Sequence, residues 1–217
     1  MKSAIFFDID NTLYDARQYY IGAFKNISSF FEDIFHIDKE ISYNTLMRIY
    51  LEKGSSYPYI FDDALKILNI DYPISKVVDL FNNTKCNIYP YYDVKITIER
   101  LKIEGYTLGI ISDGRPERQK RKLETLNILH FFDIIIFTYE TESPKPSEIP
   151  FRKASLKACN NNIYYIGDNP YIDFKGAKKL NFTTIRLLRG DYSSEPGNSD
   201  IDYEIHEFKD LFLILGE

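Results

Sequence analysis

The stretch Ser3-Ala4-Ile5-Phe6-Phe7 runs directly into Asp8-Ile9-Asp10-Asn11-Thr12-Leu13. A short apolar run that stops abruptly at polar residues reads as a strand buried on both faces, as in a parallel sheet. The pattern recurs, and strands are predicted over residues 3–7, 107–112, 133–137, 162–167 and 183–187, with a short one near 203–205. Helical stretches stand between and after them, at 94–104, 115–126, 148–158, 172–180 and 207–215. In the first of these, Val94, Ile98 and Leu101 share one face and Gly105 is placed to stop the helix. The alternation predicts an α/β fold: a Rossmann-like parallel sheet core with helices on both faces.

Residues 15–88 do not follow that alternation and read as helices only. Tyr20, Phe24, Ile27, Phe31 and Ile34 keep helical spacing. Ser42 is placed to cap a second helix that runs to Lys53, with Gly54 after it. Two further helices are predicted at 61–68 and 75–81, the second with Ser75 as N-cap and Val78 and Phe81 on one face. The expected organisation is therefore a core domain of residues 1–14 and 89–217 and a helical domain of residues 15–88, inserted after the first strand.

Composition narrows the class. Hydrophobic residues make up 44% of the 217 residues and charged residues 27%, ordinary values for a folded chain, which argues against a disordered one. A net charge of −5 gives no footprint for nucleic acid, and the densest basic stretch, from Arg115 to Lys122, reads as a solvated helix face. Cys86 and Cys159 are too few for a secreted disulfide scaffold and match no metal or redox spacing, so both read as free thiols. His36, His130 and His206 stand apart from one another with no metal spacing and read as structural or surface residues. With no signal sequence or membrane span in the pattern, a cytoplasmic protein without nucleic-acid or membrane partners is expected.

The chemistry-bearing residues follow the predicted strands. Ligands of an open parallel sheet bind beyond the carboxyl ends of its strands, where Asp8 and Asp10 fall. Two acids one residue apart on an extended strand point to the same side, and a hard cation such as Mg²⁺ would relieve their repulsion. They read equally as acids in a turn or a helix cap. Ser112-Asp113-Gly114 ends the second strand; Ser112 can donate to a phosphate oxygen, and Gly114 lets backbone N–H groups approach an anion. An ordinary strand-to-helix turn has the same composition. Lys145 lies between Pro144 and Pro146, which stiffen its loop, and a fixed ammonium there could neutralise phosphate charge. Gly167-Asp168-Asn169 ends another strand, where Asp168 is placed as a metal ligand and Asp173 can cap the next helix or orient Lys145.

Taken together, these segments resemble the haloacid dehalogenase superfamily. That family carries a DxDxT motif after strand one, a Ser or Thr after strand two, a Lys before a helix, and a Gly-Asp segment with a further acid. Asp8-Ile9-Asp10-Asn11-Thr12, Ser112, Lys145, and Gly167-Asp168 with Asp173 match them in order. The 15–88 insert is similar to the helical cap of the subgroup whose cap lies between the first two motifs. The resemblance implies that Asp8 is the nucleophile that becomes phosphorylated, and that Asp10 is the general acid and base. It implies phosphate binding by Ser112, Asp113 and Lys145, Mg²⁺ held by Asp8, the Asp10 backbone carbonyl and Asp168, and support from Asp173 and Asn169.

Within the family, Asp10 points to phosphate chemistry, because the similar dehalogenases and phosphonate hydrolases have no acid at that position. A phosphatase acting on a small phosphorylated metabolite is the expectation, with a phosphomutase of the same family as the alternative. A receiver-type phosphoacceptor would carry its acid after the third strand and lack the insert. An inactive binding module has no need of Asp8, Asp10, Lys145 and Asp168 together. Substrate choice is assigned to the insert, since a cap excludes water and supplies specificity contacts.

Overall fold

Ala4 and Phe6 face one side of a sheet while Ile5 and Phe7 face the other, and all four are fully buried. That placement requires cover on both faces. The computed structural model describes residues 3–159 and 162–216, so residues 1, 2, 160, 161 and 217 of the expected core lie outside it. In chain order its elements are β1 (Ala4–Phe7), α1 (Arg17–Phe35), α2 (Lys39–Lys53), α3 (Ile60–Ile67), α4 (Ile74–Asn83), α5 (Val94–Ile103), β2 (Thr107–Ser112) and α6 (Pro116–Thr125). There follow β3 (Ile134–Phe137), α7 (Ile149–Ala158), β4 (Ile163–Gly167), α8 (Lys175–Lys178), β5 (Thr183–Leu187), β6 (Tyr203–Ile205) and α9 (Leu211–Leu215).

The strands form a six-stranded sheet in the order β3-β2-β1-β4-β5-β6, parallel throughout. Helices cover both of its faces. Phe6, Ile111, Ile136 and Tyr165 pack on one side against Phe151 and Ala154 of α7 and Ala177 of α8. On the other side the Phe7 ring meets Phe132 and Phe208 edge-on, at 6.2 and 5.8 Å between centroids. The strand order reverses at β1, with β2 and β3 on one side and β4, β5 and β6 on the other, and ligands of open parallel sheets bind at such a switch point.

The chain divides into two units. One runs through Ala16 and resumes at Ile88; the other is Arg17–Asn87. The second unit is helical, built on Phe24, Ile27, Phe31, Leu46 and Val77, which are buried. Here three local expectations are corrected. Ser42 is an interior residue of α2; Asp38 caps that helix, accepting from the N–H of Glu40 at 2.8 Å and of Ile41 at 3.1 Å. A carboxylate there also complements the positive end of the helix dipole, which a hydroxyl does not. Ser75 likewise lies inside α4, which starts at Ile74 after Pro73, so the fully buried partner of Phe81 is Val77, one turn before it, with Val78 half-buried. Ile34, at the end of α1, is exposed, because the inward stripe runs through Tyr19, Ala23, Ile27 and Phe31.

In the first unit the predicted strands fall within a residue of those observed. Gly105 stands at φ 86° just past α5, and Tyr106 N–H returns to Leu101 O at 3.0 Å, which closes the helix as expected. Where a helix was expected over 172–180, only Lys175–Lys178 is helical. The residues before it are held in a tight turn, with Asp173 N–H on Asn169 O and Tyr171 N–H on the Asn169 side chain. Among the described residues no helix is long and apolar enough to cross a membrane.

Candidate active site

Asp8 N–H extends the sheet by one hydrogen bond, to Ile166 O at 2.9 Å, so the carboxylate of Asp8 emerges level with the end of β4. Asp8, Ser112, Lys145, Asp168 and Asp173, drawn from four different strand ends, are all buried at this edge. Lys145 Nζ donates to Asp8 Oδ1 at 2.8 Å, to Asp173 Oδ1 at 2.6 Å and to the Tyr165 hydroxyl at 3.2 Å. Asp173 Oδ2 accepts from the N–H of Asp168 at 3.0 Å and of Asn169 at 2.8 Å. The turn after β4 and the loop after β3, whose Lys145–Pro146 peptide is cis, are thus tied through one carboxylate.

Electrostatics distinguishes the acids. Burial lifts the Asp8 carboxyl to about 7; Lys145 opposes this, and Asp173 and Asp10 add to it. Burial also holds Asp168 well above the ordinary carboxylate range, reinforced by Asp173 and Asp8. Lys145 is stabilised as an ammonium: burial disfavours its charge, but Asp173 and Asp8 outweigh that.

The acids fit a divalent cation. Oxygens of Asp8, Asp168 and Asp173 lie within 4.8 Å of one another. Counted as ionised, three carboxylates against the one ammonium of Lys145 leave an excess of two negative charges in a buried place, which a divalent ion matches. Asp173 is already occupied by Lys145 and two backbone N–H groups. Asp168 is buried, yet among the described residues its carboxylate receives no hydrogen bond. Asp8 and Asp168 are the acids left for a metal.

Asp10 sits in a different environment. Its carboxylate accepts from Lys122 Nζ at 2.6 and 2.7 Å, from the Tyr14 hydroxyl at 2.5 Å and from Gln119 Nε2 at 3.2 Å. Burial would raise its pKa, but the Lys122 ammonium and the Tyr14 hydroxyl outweigh burial and hold it at about 2. Lys122 in turn is lowered to about 8 by burial, with Asp10 opposing. Both partners are therefore charged at neutral pH. Gln119 Nε2 also donates to Ser112 Oγ at 2.8 Å, linking Asp10 to the second strand's hydroxyl.

Several residues behave differently from their sequence expectation. Lys122 was expected on a solvated face, yet it is 4% exposed and Gln119 is fully buried. Positions 119, 122, 123 and 126 share one helix face, so the apolar stripe of Leu123 and Leu126 carried the signal that Gln119 and Lys122 point inward. Asp113, beside Ser112, directs its carboxylate to the loop after β3. It accepts there from Thr138 Oγ1 at 2.5 Å and Lys145 N–H at 3.2 Å, and so clasps the loop that carries Lys145. Arg186 on β5 carried no sequence signal. Fully buried, it donates to the backbone oxygens of Asp168, Tyr192 and Glu195 and to the Glu204 carboxylate, and braces the turn that holds Asp168.

A parallel sheet with these acids at its switch point defines a class of hydrolase, and the profile of haloacid dehalogenase-like hydrolases matches residues 5–187. The chain belongs to that family. It is 33% identical to the glyceraldehyde 3-phosphate phosphatase of Methanocaldococcus jannaschii, over 99% of this chain and 97% of the relative. The enzyme of the same name from Pyrococcus furiosus is also 33% identical, over 96% and 88%. Among solved structures, the HAD-hydrolase YfnB of Bacillus subtilis, bound to magnesium, superposes with a TM-score of 0.75 at 19% identity, covering 99% of both chains. These near full-length relatives are named phosphatases, and phosphatase is the class of activity of this chain.

Proposed function

We propose that the protein is a Mg²⁺-dependent phosphomonoester hydrolase that acts on a small phosphorylated metabolite through an aspartyl-phosphate at Asp8. The observation that carries this reading is the contact of Lys145 Nζ with Asp8 at 2.8 Å inside a buried carboxylate cluster. It leaves Asp8 beside a fixed cation, at the end of β1, with Ser112 and Asp168 on the flanking strands.

An Asp8 oxygen attacks phosphorus, and the bond from phosphorus to the ester oxygen breaks with its electron pair on that oxygen, which Asp10 protonates with the proton brought in by the substrate's phosphate monoanion. In the second half, water attacks the phosphoryl group, its proton goes to Asp10, and the electron pair of the Asp8–phosphorus bond returns to the carboxylate. The observed Asp10, ionised and held by Lys122, is in the base form that this second half requires. Ser112 Oγ and Lys145 Nζ donate to phosphoryl oxygens, since phosphoryl transfer is catalysed chiefly by positioning and charge neutralisation. Asp173 and Asn169 support Lys145 and Asp168. Mg²⁺ held by Asp8, the Asp10 backbone carbonyl and Asp168 would supply neutralisation of the phosphate charge.

The Arg17–Asn87 unit takes the role of a cap that sets substrate choice. Glyceraldehyde 3-phosphate is the first substrate to test, because the full-length relatives carry that name. Cys86 and Cys159, both outside any disulfide, suit a reducing, cytoplasmic setting. Phosphate release from a panel of phosphomonoesters, with and without Mg²⁺, tests the reading. Metal-dependent release with one ester preferred is expected; no release from any ester overturns it.

A further inference from the structure

We infer that Lys122 is a positioning residue of the reaction, which with Tyr14 and Gln119 holds the Asp10 carboxylate in register with the phosphoryl site so that it acts as the base in dephosphorylation. The inference rests on the phosphatase reading above.

An ammonium on a polar helix is ordinarily left in water, and burying it beside a single carboxylate is at best neutral for stability. The Lys122 side chain is nevertheless only 5% exposed, while that of its partner Asp10 is 34% exposed. The clasp therefore grips Asp10 from its buried side and leaves part of the carboxylate side chain accessible. Lys122 reaches both Asp10 oxygens, the Tyr14 hydroxyl reaches one, and Gln119 reaches the other. The same Gln119 amide bonds Ser112 Oγ at 2.8 Å, so the general base and a phosphate-binding hydroxyl hang from one side chain. A helix face that stabilised only the fold could use leucine at 119 and 122, as it does at 123 and 126.

Hydrolysis of the aspartyl-phosphate needs this placement more than its formation does when the leaving group is a nitrophenolate, which departs without a proton. In dephosphorylation the water oxygen bonds phosphorus, its proton moves to Asp10, and the Asp8 oxygen leaves with its electron pair. A displaced Asp10 slows that step and the phosphoenzyme accumulates.

The test is rapid-mixing kinetics of the full chain with p-nitrophenyl phosphate and Mg²⁺. Lys122→Met is expected to lower steady-state turnover about 100-fold while keeping a burst of nitrophenolate approaching one per active site. Lys122→Arg should recover most of the turnover, because a guanidinium can still bridge both Asp10 oxygens. Tyr14→Phe, which removes a single donor, should show the same burst with a smaller loss, and it carries the test if the Met variant does not fold. Turnover of Lys122→Met equal to wild type overturns the inference, as does an equal loss of burst rate and steady state in folded variants. A wild-type protein inactive on every phosphomonoester overturns instead the phosphatase reading on which it rests.

Discussion

Asp173 and Lys145 form the joint of the site: Oδ1 of one lies 2.6 Å from Nζ of the other, while Oδ2 collects the N–H groups of Asp168 and Asn169. Replacing Asp173 by Ala leaves Lys145 with an unbalanced contact to Asp8 and opens the turn that carries Asp168. Truncating one partner of a buried pair in this way is expected to cost about 3–5 kcal/mol. Urea unfolding measures that loss, and phosphate release should fall with it.

Gly167 tests the same joint without removing a charged group. A Cβ there would stand 2.5 Å from Asp173 Oδ2 and 2.7 Å from its Cγ, so even a methyl group must push the carboxylate aside. Gly167→Ala is expected to destabilise by about 1–3 kcal/mol, as overpacking does, and to lower turnover more than an alanine on the exposed face of α6. Equal activity of Gly167→Ala and wild type would show that Asp173 does not position Lys145.

Asp8→Asn separates chemistry from folding. An amide cannot form the acyl-phosphate, so turnover should vanish, yet its oxygen can still accept from Lys145. Since burial disfavours the Asp8 charge, removing that charge is expected to leave the thermal midpoint of the metal-free protein unchanged or higher. Residual phosphate release by purified Asp8→Asn would remove Asp8 from the nucleophile role.

The acid cluster links stability to pH and metal. Asp8 rises from 3.8 to about 7 on folding, so between those values the folded chain holds a proton that the unfolded chain has lost. Stability of the metal-free protein therefore falls as pH rises through that window. Asp10 has the opposite sign: lowered to about 2, its contribution is complete above 3.8 and is lost only as pH falls towards 2. Mg²⁺, held as proposed by Asp8 and Asp168, would favour their ionised forms and compete with protons. Thermal unfolding should show a larger rise on adding Mg²⁺ at about pH 8 than at about pH 5. The reverse order would place the metal elsewhere.

How far the site was legible depended on the kind of signal. Asp8, Ser112, Lys145 and Asp168 each follow a strand whose apolar run is visible locally, so their clustering follows from parallel strands in one sheet. Lys122 and Gln119 lie in the most polar helix of the chain, and their inward direction shows only when the stripe of Leu123 and Leu126 is traced back one turn. The partners of the Asp113 carboxylate, Thr138 and the Lys145 backbone, lie 25 and 32 residues further along the chain, and no local pattern encodes that pairing. The expected helix over 172–180 was curtailed by the turn at Asn169–Asp173, whose hydrogen bonds serve the site in preference to helix propensity.

By itself the sequence determined that a parallel α/β sheet carries paired acids, a hydroxyl, a lysine and a further acid at its strand ends, because strand periodicity and the abrupt change from apolar to polar residues are local properties. Tertiary structure alone decided which charges face each other. Lys145 bridges Asp8 and Asp173, Lys122 holds Asp10, and Asp168 is left without a hydrogen bond among the described residues. Those pairings join residues up to 137 positions apart, and an ion pair depends on distance in space and on burial, neither of which adjacent residues encode.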